Sequence, residues 1–428
     1  MMNYILFLIA FLAFYFWLFR FMKKATHGLN PGQLAFVFTG KVLASCFYGW
    51  LLLHYYGGDD TWVIHEDTLM EWEQMKINPL RFFVYEIDLR QYITDMGWKE
   101  GLPYFRMKLE KAIINKPLGI FNFYSQGNFY VNMVAFSFIS FWGSFWLYQV
   151  LADLMPGYKK WTFLVLFFYP PALFWLSGLR SDAMLFFFFS LFVSRLYRKW
   201  QIMPARANLW VASLAWIGMA VVKASFALLL LIPIFAWWLT VRKKWPLKKA
   251  FGGTTLVFLG LFFLSAAFPE PFNLPNAVAN IQQEFFKLEG NTRVDLPALS
   301  SDPVTYIKNL PAALDNIFLR PYPWDAKGIL QYVMVAQNFF IICLVVLVFI
   351  RRFPGRGDLV PHSLLWMLFL LSISFYLSIG YTIPFPGATI RYRVIPETLL
   401  VWLLSIGAMG STLTHYNIFN VYKKQKNL

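Results

Sequence analysis

The feature that leaves this chain the fewest choices is its succession of long apolar runs, such as Phe339–Ile350 with its flanks and Leu364–Ile379. A bilayer core accepts a helix of about 20 apolar residues, and these runs match that length. Charged residues make up 14% of the chain, against about 25% in an ordinary soluble domain. Hydrophobic residues reach 58% and aromatic residues 20%. The expected fold class is therefore all-α: a polytopic transmembrane helical protein.

Hydropathy places eleven spans, with charge setting their orientation. They fall at about Tyr4–Phe21, Gln33–Tyr56, Phe129–Leu154, Trp161–Ser177, Ala183–Leu196, Asn208–Val222, Ala224–Thr240, Phe251–Phe268, Ile329–Ile350, Leu359–Tyr381 and Val394–Leu413. The first reads as a retained helix, because no basic segment precedes it and no small-residue cleavage site precedes its charges. With the N-terminus outside and the C-terminus cytoplasmic, every major basic cluster falls on one side. These clusters are Arg20/Lys23/Lys24, Lys159/Lys160, Arg198/Lys199/Arg206, Arg242–Lys249, Arg351/Arg352/Arg356 and Lys423–Lys426. The net charge of +16 then reads as cytoplasmic loop charge, with no nucleic-acid partner implied. The acids fall mostly on the other side. The loop Gly57–Asn128 carries eleven of the 22, from Asp59 to Glu110. The parity depends on a helix break at Lys223.

The chain reads as a single transmembrane domain, 1–428, with two long outer loops, 57–128 and 269–328. Loops of that length usually carry function or short helices. In the first, Trp62, Leu69, Trp72 and Met75 recur near helical spacing, as do Phe105, Leu109 and Ile113, which suggests interfacial helices lying on the membrane. The two cysteines, Cys46 and Cys343, sit in apolar runs, which disfavours a disulfide framework or a cysteine metal site. No phosphate-binding glycine loop, serine-hydrolase elbow, zinc-protease helix or dinucleotide fingerprint is present.

Three features could carry chemistry. Gly57-Gly58-Asp59-Asp60-Thr61-Trp62 sets two adjacent carboxylates at the end of the second span, on a glycine pair that lets the backbone turn. Such a pair suits a general base or a shared divalent-cation site, and His65, Glu66 and Asp67 follow closely. The plain alternative is a helix end made soluble by acids. The second feature is charge within or at the edge of spans: Lys41, Arg180, Asp182, Lys223, Arg320, Arg391 and Arg393. Such charges usually face a cavity or a partner, though snorkelling accounts equally for Lys41 and Lys223. Arginines gathered on the outer side suit a phosphate or pyrophosphate. The third is a set of proline- and aromatic-rich outer turns: Tyr169-Pro170-Pro171, Arg320-Pro321-Tyr322-Pro323-Trp324 and Pro384-Phe385-Pro386-Gly387. Aromatic faces there suit sugar rings and prenyl chains, or an ordinary interfacial aromatic belt.

Four stretches together resemble the bacterial GT-C superfamily of polyprenyl-phosphate-dependent glycosyltransferases. They are Gly58-Asp59-Asp60, the turn Tyr169–Asp182 with its Phe174-Trp175, Ser177-Gly178 and Arg180-Ser181-Asp182, the segment Leu319–Trp324, and Arg391-Tyr392-Arg393 followed by Pro396. A glutamate at 397 departs from the family pattern. The resemblance implies an inverting sugar transfer at the outer face of the bacterial inner membrane. The donor is then a polyprenyl-phosphate-linked sugar and the acceptor a glycan, lipid or protein. Asp59 or Asp60 is expected as the base. Arg180, Arg320, Arg391 or Arg393 is expected on the donor phosphate, with Lys41, His65, Glu66, Asp182, Lys223 and Trp324 around the substrate. Some relatives hold a divalent cation at the acidic motif. Two other readings stand beside this one. A polymerase, ligase or flippase of lipid-linked glycans needs Arg391 but tolerates Asp59→Asn. Among non-enzymatic readings, a scaffold subunit tolerates changes at both, and a transporter more often shows pseudo-symmetric halves, which are not evident here.

Overall fold

The computed structural model describes residues 2–22, 28–84, 86–202, 209–270, 272–290, 293–326, 328–350 and 363–409. Among these the chain is all-helical, without a strand. Among the described residues eight helices are long and apolar enough to cross a membrane, so the chain is a multi-pass membrane protein. Lys23, Lys24, Arg206, Arg351, Arg352, Arg356 and Lys423–Lys426, which contribute to the expected orientation, lie outside the described residues.

The chain divides into two compact units, Met1–Leu228 and Leu229–Leu428. The first unit holds α1 (Met2–Met22), α2 (Pro31–Tyr56), α3 (Asp60–Ile77), α4 (Pro79–Phe82), α5 (Leu89–Ser125), α6 (Phe129–Leu154), α7 (Lys159–Phe168), α8 (Pro170–Trp175), α9 (Ser181–Tyr197) and α10 (Leu209–Val222). The central element is α6, which packs on α1, α2, α5, α7 and α9. Its buried face is lined by Asn132, Ser137, Ser140, Ser144 and Gln149 as well as aromatics. One end of α6 lies beside the acidic excursion, since Phe129 stacks on Trp62 with centroids 4.3 Å apart. The other end lies beside the basic residues, since Arg198 donates to Gln149 at 3.2 Å. Within this unit, the acid-rich excursion and the basic turn after α9 therefore lie at opposite ends of one helix.

The fourth expected span is broken. Tyr169 precedes Pro170 and leaves the helical region, as a residue before proline tends to do, so α7 and α8 are separate. The expected break at Lys223 is present: α10 ends at Val222 and α11 (Ala224–Arg242) begins one residue later.

The long excursion 57–128 folds into α3 laid along α5. Lys116 pairs with Glu71 at 3.1 Å and Lys111 with Asp67 at 2.8 Å. Leu69 and Trp72 press on Gly127, and Trp62 donates to the Gly49 carbonyl at 3.0 Å. Trp62, Leu69 and Trp72 of the face expected on the membrane are half-buried against these groups.

The second unit holds α12 (Leu247–Leu264), α13 (Leu274–Phe286), α14 (Pro303–Phe318), α15 (Ile329–Ile350), α16 (Ser363–Thr382) and α17 (Pro386–Met409). Its core is α17 against α15 and α16, with α14 packed on α16. The helix α17 begins eight residues before the expected start at Val394. Proline is well suited to a first helical position, and Pro386 occupies it. Arg391 and Arg393 are consequently helical and not in a loop.

Candidate functional site

The site grows from the end of α2. Gly57 and Gly58 have φ of +71° and +110°, conformations that cost L side chains energy. Their amides return to the Leu53 and Leu52 carbonyls, both at 3.1 Å, which closes α2 in a Schellman-type end. The chain then reverses directly into α3. Asp59 caps α3 by accepting the Asp60 amide, and Asp60 occupies the first turn. Acids are favoured at a helix N-terminus by its dipole.

Two adjacent carboxylates still need a counter-charge, and Arg180 supplies it from the N-cap of α9. Its Nη2 lies 3.0 Å from Asp59 Oδ2 and 3.0 Å from Asp60 Oδ2, while its Nε donates to the Tyr48 hydroxyl at 2.8 Å. The guanidinium is 4% exposed, Asp59 28% and Asp60 69%, so one buried cation holds one half-buried and one open carboxylate. Gly178 makes this possible. A Cβ there would lie 2.6 Å from the Tyr48 ring, so only glycine lets Tyr48 rise under Arg180. Thr61 donates to the Leu179 carbonyl at 3.4 Å and ties α3 to the same turn.

The next residues of that turn reach a second cluster. The Ser181 hydroxyl bonds Glu110 of α5, and Asp182, Arg106 and Lys223 lie close enough to act on the Glu110 carboxyl. Burial pushes that carboxyl up, opposed by Arg106 and Ser181. Arg106 lies 3.7 Å from Glu110 and donates to the Val221 carbonyl at 2.9 Å, at the α10–α11 break. Glu110 and Arg106 belong to no motif that sequence reading would single out. They lie far from 180 in the chain and reach the turn only through the path of α5.

The remaining expected site residues go elsewhere. Lys41 is buried, donates to Ser140 at 3.1 Å, and sits about 10 Å along α2 from Tyr48 at 1.5 Å per residue. His65 is a core residue. It is buried between Trp62 and Phe129, and burial lowers its pKa to about 4. Glu66 is exposed on α3.

In the second unit, Arg320 pairs with Asp315 at 2.9 Å, which raises the Arg320 pKa. The Trp324 ring stacks on Tyr322 at 4.7 Å. Arg391 bonds the Tyr392 hydroxyl at 2.9 Å. Arg393 and Glu397 are both 0% exposed and paired at 2.6 Å. Arg393 also donates to the Ile317 carbonyl at 2.7 Å and to Asn338, while Glu397 accepts from Gln337 and Tyr376. The expected phosphate-binding role does not fit Arg393, because its guanidinium is enclosed and engaged by protein groups.

A divalent cation does not fit the acidic pair either. Among the described residues no group of three or more His, Cys, Asp or Glu side chains is placed to hold a metal, and Arg180 takes the carboxylates. Comparison with protein-family models, with curated proteins and with solved structures returns no match.

Proposed function

We propose that the protein is a glycosyltransferase of the bacterial inner membrane, transferring a sugar from a polyprenyl-phosphate-linked donor to an acceptor at the non-cytoplasmic face. The N-terminus is outside and the C-terminus cytoplasmic in this reading, with the α3–α5 excursion as juxtamembrane cover over the site. The acid-rich excursion at one end of α6 and Arg198 and Lys199 at the other support that orientation. One observation carries the functional reading: a carboxylate pair at the end of a span, fixed by a single buried guanidinium, with Asp60 open to a ligand.

The chemistry follows from that geometry. Asp60 removes the proton of an acceptor hydroxyl, the acceptor oxygen bonds the anomeric carbon, and the polyprenyl phosphate departs with the bonding electrons. Arg180 orients the carboxylates. The leaving phosphate falls to other cations of the first unit, with Arg106 the more exposed choice. A glutamate–serine–arginine set beside the acids gives the leaving side a hydrogen-bonding surface.

The test is transfer by the purified full-length protein from a panel of polyprenyl-phosphate sugars. Asp60→Asn is expected to lower turnover by about 10²–10⁴-fold, the range of general-base contributions, with the fold retained. Wild-type turnover in Asp60→Asn and Asp59→Asn, with loss in Arg391→Ala, transfers the assignment to a polymerase, ligase or flippase.

A further inference from the structure

The second unit contains a helix whose faces are reversed. On α14 the buried side carries Tyr306, Asn309 and Asn316 beside Ala313 and Ile317. The exposed side carries Val304, Ile307, Leu310 and Leu314, with Ile307 72% exposed. In water that arrangement is unfavourable, because a contiguous apolar stripe is left uncovered. The buried polar donors are satisfied by main chain. Tyr306 donates to the Pro275 carbonyl at 2.8 Å, Asn309 to Ala298 at 3.1 Å, and Asn316 to Gly380 and Ile383 at 3.0 and 2.8 Å.

The C-terminal end of α14 is the more telling part. A helix end leaves carbonyls without partners, and at membrane depth each needs a protein donor. Here Asp315 O accepts the Leu319 and Arg320 amides at 2.9 and 3.2 Å. Ile317 O takes the Arg393 guanidinium, and Arg320 O takes Asn338 Nδ2 at 2.8 Å. The arginine also places a positive charge at the negative end of the helix dipole.

The neighbours of α14 fix its tilt. Its N-terminal half meets Tyr381 at the end of α16, where Tyr381 donates to the Tyr306 carbonyl at 2.6 Å. Its last residue, Phe318, packs on Tyr376 with centroids 5.1 Å apart, five residues or about 7 Å further along α16. Arg393 lies seven residues into α17 and Asn338 nine residues into α15, or about 10 and 13 Å from those helix starts. Asn316 still meets Gly380 and Ile383 at the end of α16, so it is the last residues of α14, Ile317 and Phe318, that lie inside the level at which the spans begin. The flank is continuous with a lipid-facing span. Phe262 and Phe263 of α12 pack edge-on against Tyr306, and the same helix exposes Leu256, Leu261 and Leu264.

We propose that α14 enters the bilayer obliquely, C-terminal end first, with the Val304–Ile307–Leu310–Leu314 stripe against lipid acyl chains and Arg393 as the internal cap of its buried end. Lys308, on the exposed side of the N-terminal half, is placed to reach the headgroups. The inference concerns the second unit alone and stands whether or not sugar transfer is found.

Depth-resolved quenching tests it. Single cysteines replace Ile307, Leu310 or Leu314 in a full-length Cys46→Ala/Cys343→Ala background, with Glu284→Cys on the exposed side of α13 as the water-facing control. Each is labelled with a small fluorophore in nanodiscs whose lipids carry a nitroxide either near the headgroup or at mid-chain. Lipid quenching is expected at all three stripe positions, with the mid-chain share rising from Ile307 to Leu314, and iodide is expected to quench only the control. Iodide quenching at Leu314, equal depth at Ile307 and Leu314, or protection from both quenchers each overturns the proposal. The last outcome places protein over the stripe.

Discussion

Arg180 gives a prediction whose direction runs against the usual expectation for removing an arginine. A full ion pair at 3.0 Å is worth about 5 kcal/mol at an effective dielectric of about 20. The two partners do not share solvent equally, however. Asp60 is 69% exposed, so its contribution falls to about 0–1 kcal/mol after screening. In this triad the buried member is the cation. Replacing Arg180 with Met leaves two carboxylates that water can solvate and one lost bond to Tyr48, a cost of about 1–2 kcal/mol. Replacing both acids with Ala strands a guanidinium that is 4% exposed, at about 3–5 kcal/mol, with about 1 kcal/mol more for the lost α3 cap.

The order of stability is therefore wild type, then Arg180→Met, then Asp59→Ala/Asp60→Ala. The triple variant should recover most of the difference between the last two. For a unit the size of Met1–Leu228, each kcal/mol moves the melting temperature by about 2–4 °C. That gives about 2–8 °C for Arg180→Met and about 8–24 °C for the double variant. Tryptophan fluorescence on heating the detergent-solubilised protein reads this directly. An Arg180→Met protein that melts below the double variant, or a triple variant no better than the double, refutes the view that Arg180 is the desolvated charge.

Two further outcomes follow from buried groups. His65 has a folded pKa of about 4 against 6.5 unfolded, so the folded state excludes its proton; stability is complete above pH 6.5 and declines by about 3 kcal/mol as pH falls to about 4. In His65→Phe, which keeps an aromatic ring between Trp62 and Phe129, that part of the acid-induced drop in melting temperature should vanish, and an unchanged pH profile contradicts the assignment. Glu397→Gln leaves Arg393 enclosed without its anion and should cost about 3–5 kcal/mol, seen as a lowered melting temperature; wild-type melting would show that the pair is not desolvated.

The spans were legible because apolar length is a direct signature of the bilayer. So were the Gly57-Gly58 turn and the break at Lys223, where local chemistry suffices. Other features needed tertiary information. Pro384-Phe385-Pro386-Gly387 reads as a loop from composition, yet Pro386 opens a helix that carries Arg391 and Arg393 inside it. The Arg393–Glu397 pair has the i,i+4 spacing of a helical ion pair, a signal present in the sequence once that helix start is known. Glu110 had no such signal. Its meeting with Ser181 depends on α5 running beside α9, which no local pattern encodes. The amphipathic pattern of α14 gives no indication of which face is inward, because a polar face toward protein and one toward water leave the same periodicity.

The two units solve one electrostatic problem in mirror fashion, and this bears on where a phosphate could bind. In the first, acids sit on the positive end of α3 and a buried arginine neutralises them. In the second, an arginine sits on the negative end of α14 and a buried glutamate neutralises it. Each arginine is already engaged. A phosphate that recruited Arg393 would have to break a pair worth about 3–5 kcal/mol to remove, a loss of about 10²–10⁴ in affinity at about 1.4 kcal/mol per tenfold. Arg180 carries a similar burden because it must release two carboxylates. A lipid-phosphate donor is therefore bound at lower cost by cations with solvent access, and Arg106, 43% exposed and adjacent to the Arg180–Asp182 turn through Glu110, meets that condition within the first unit.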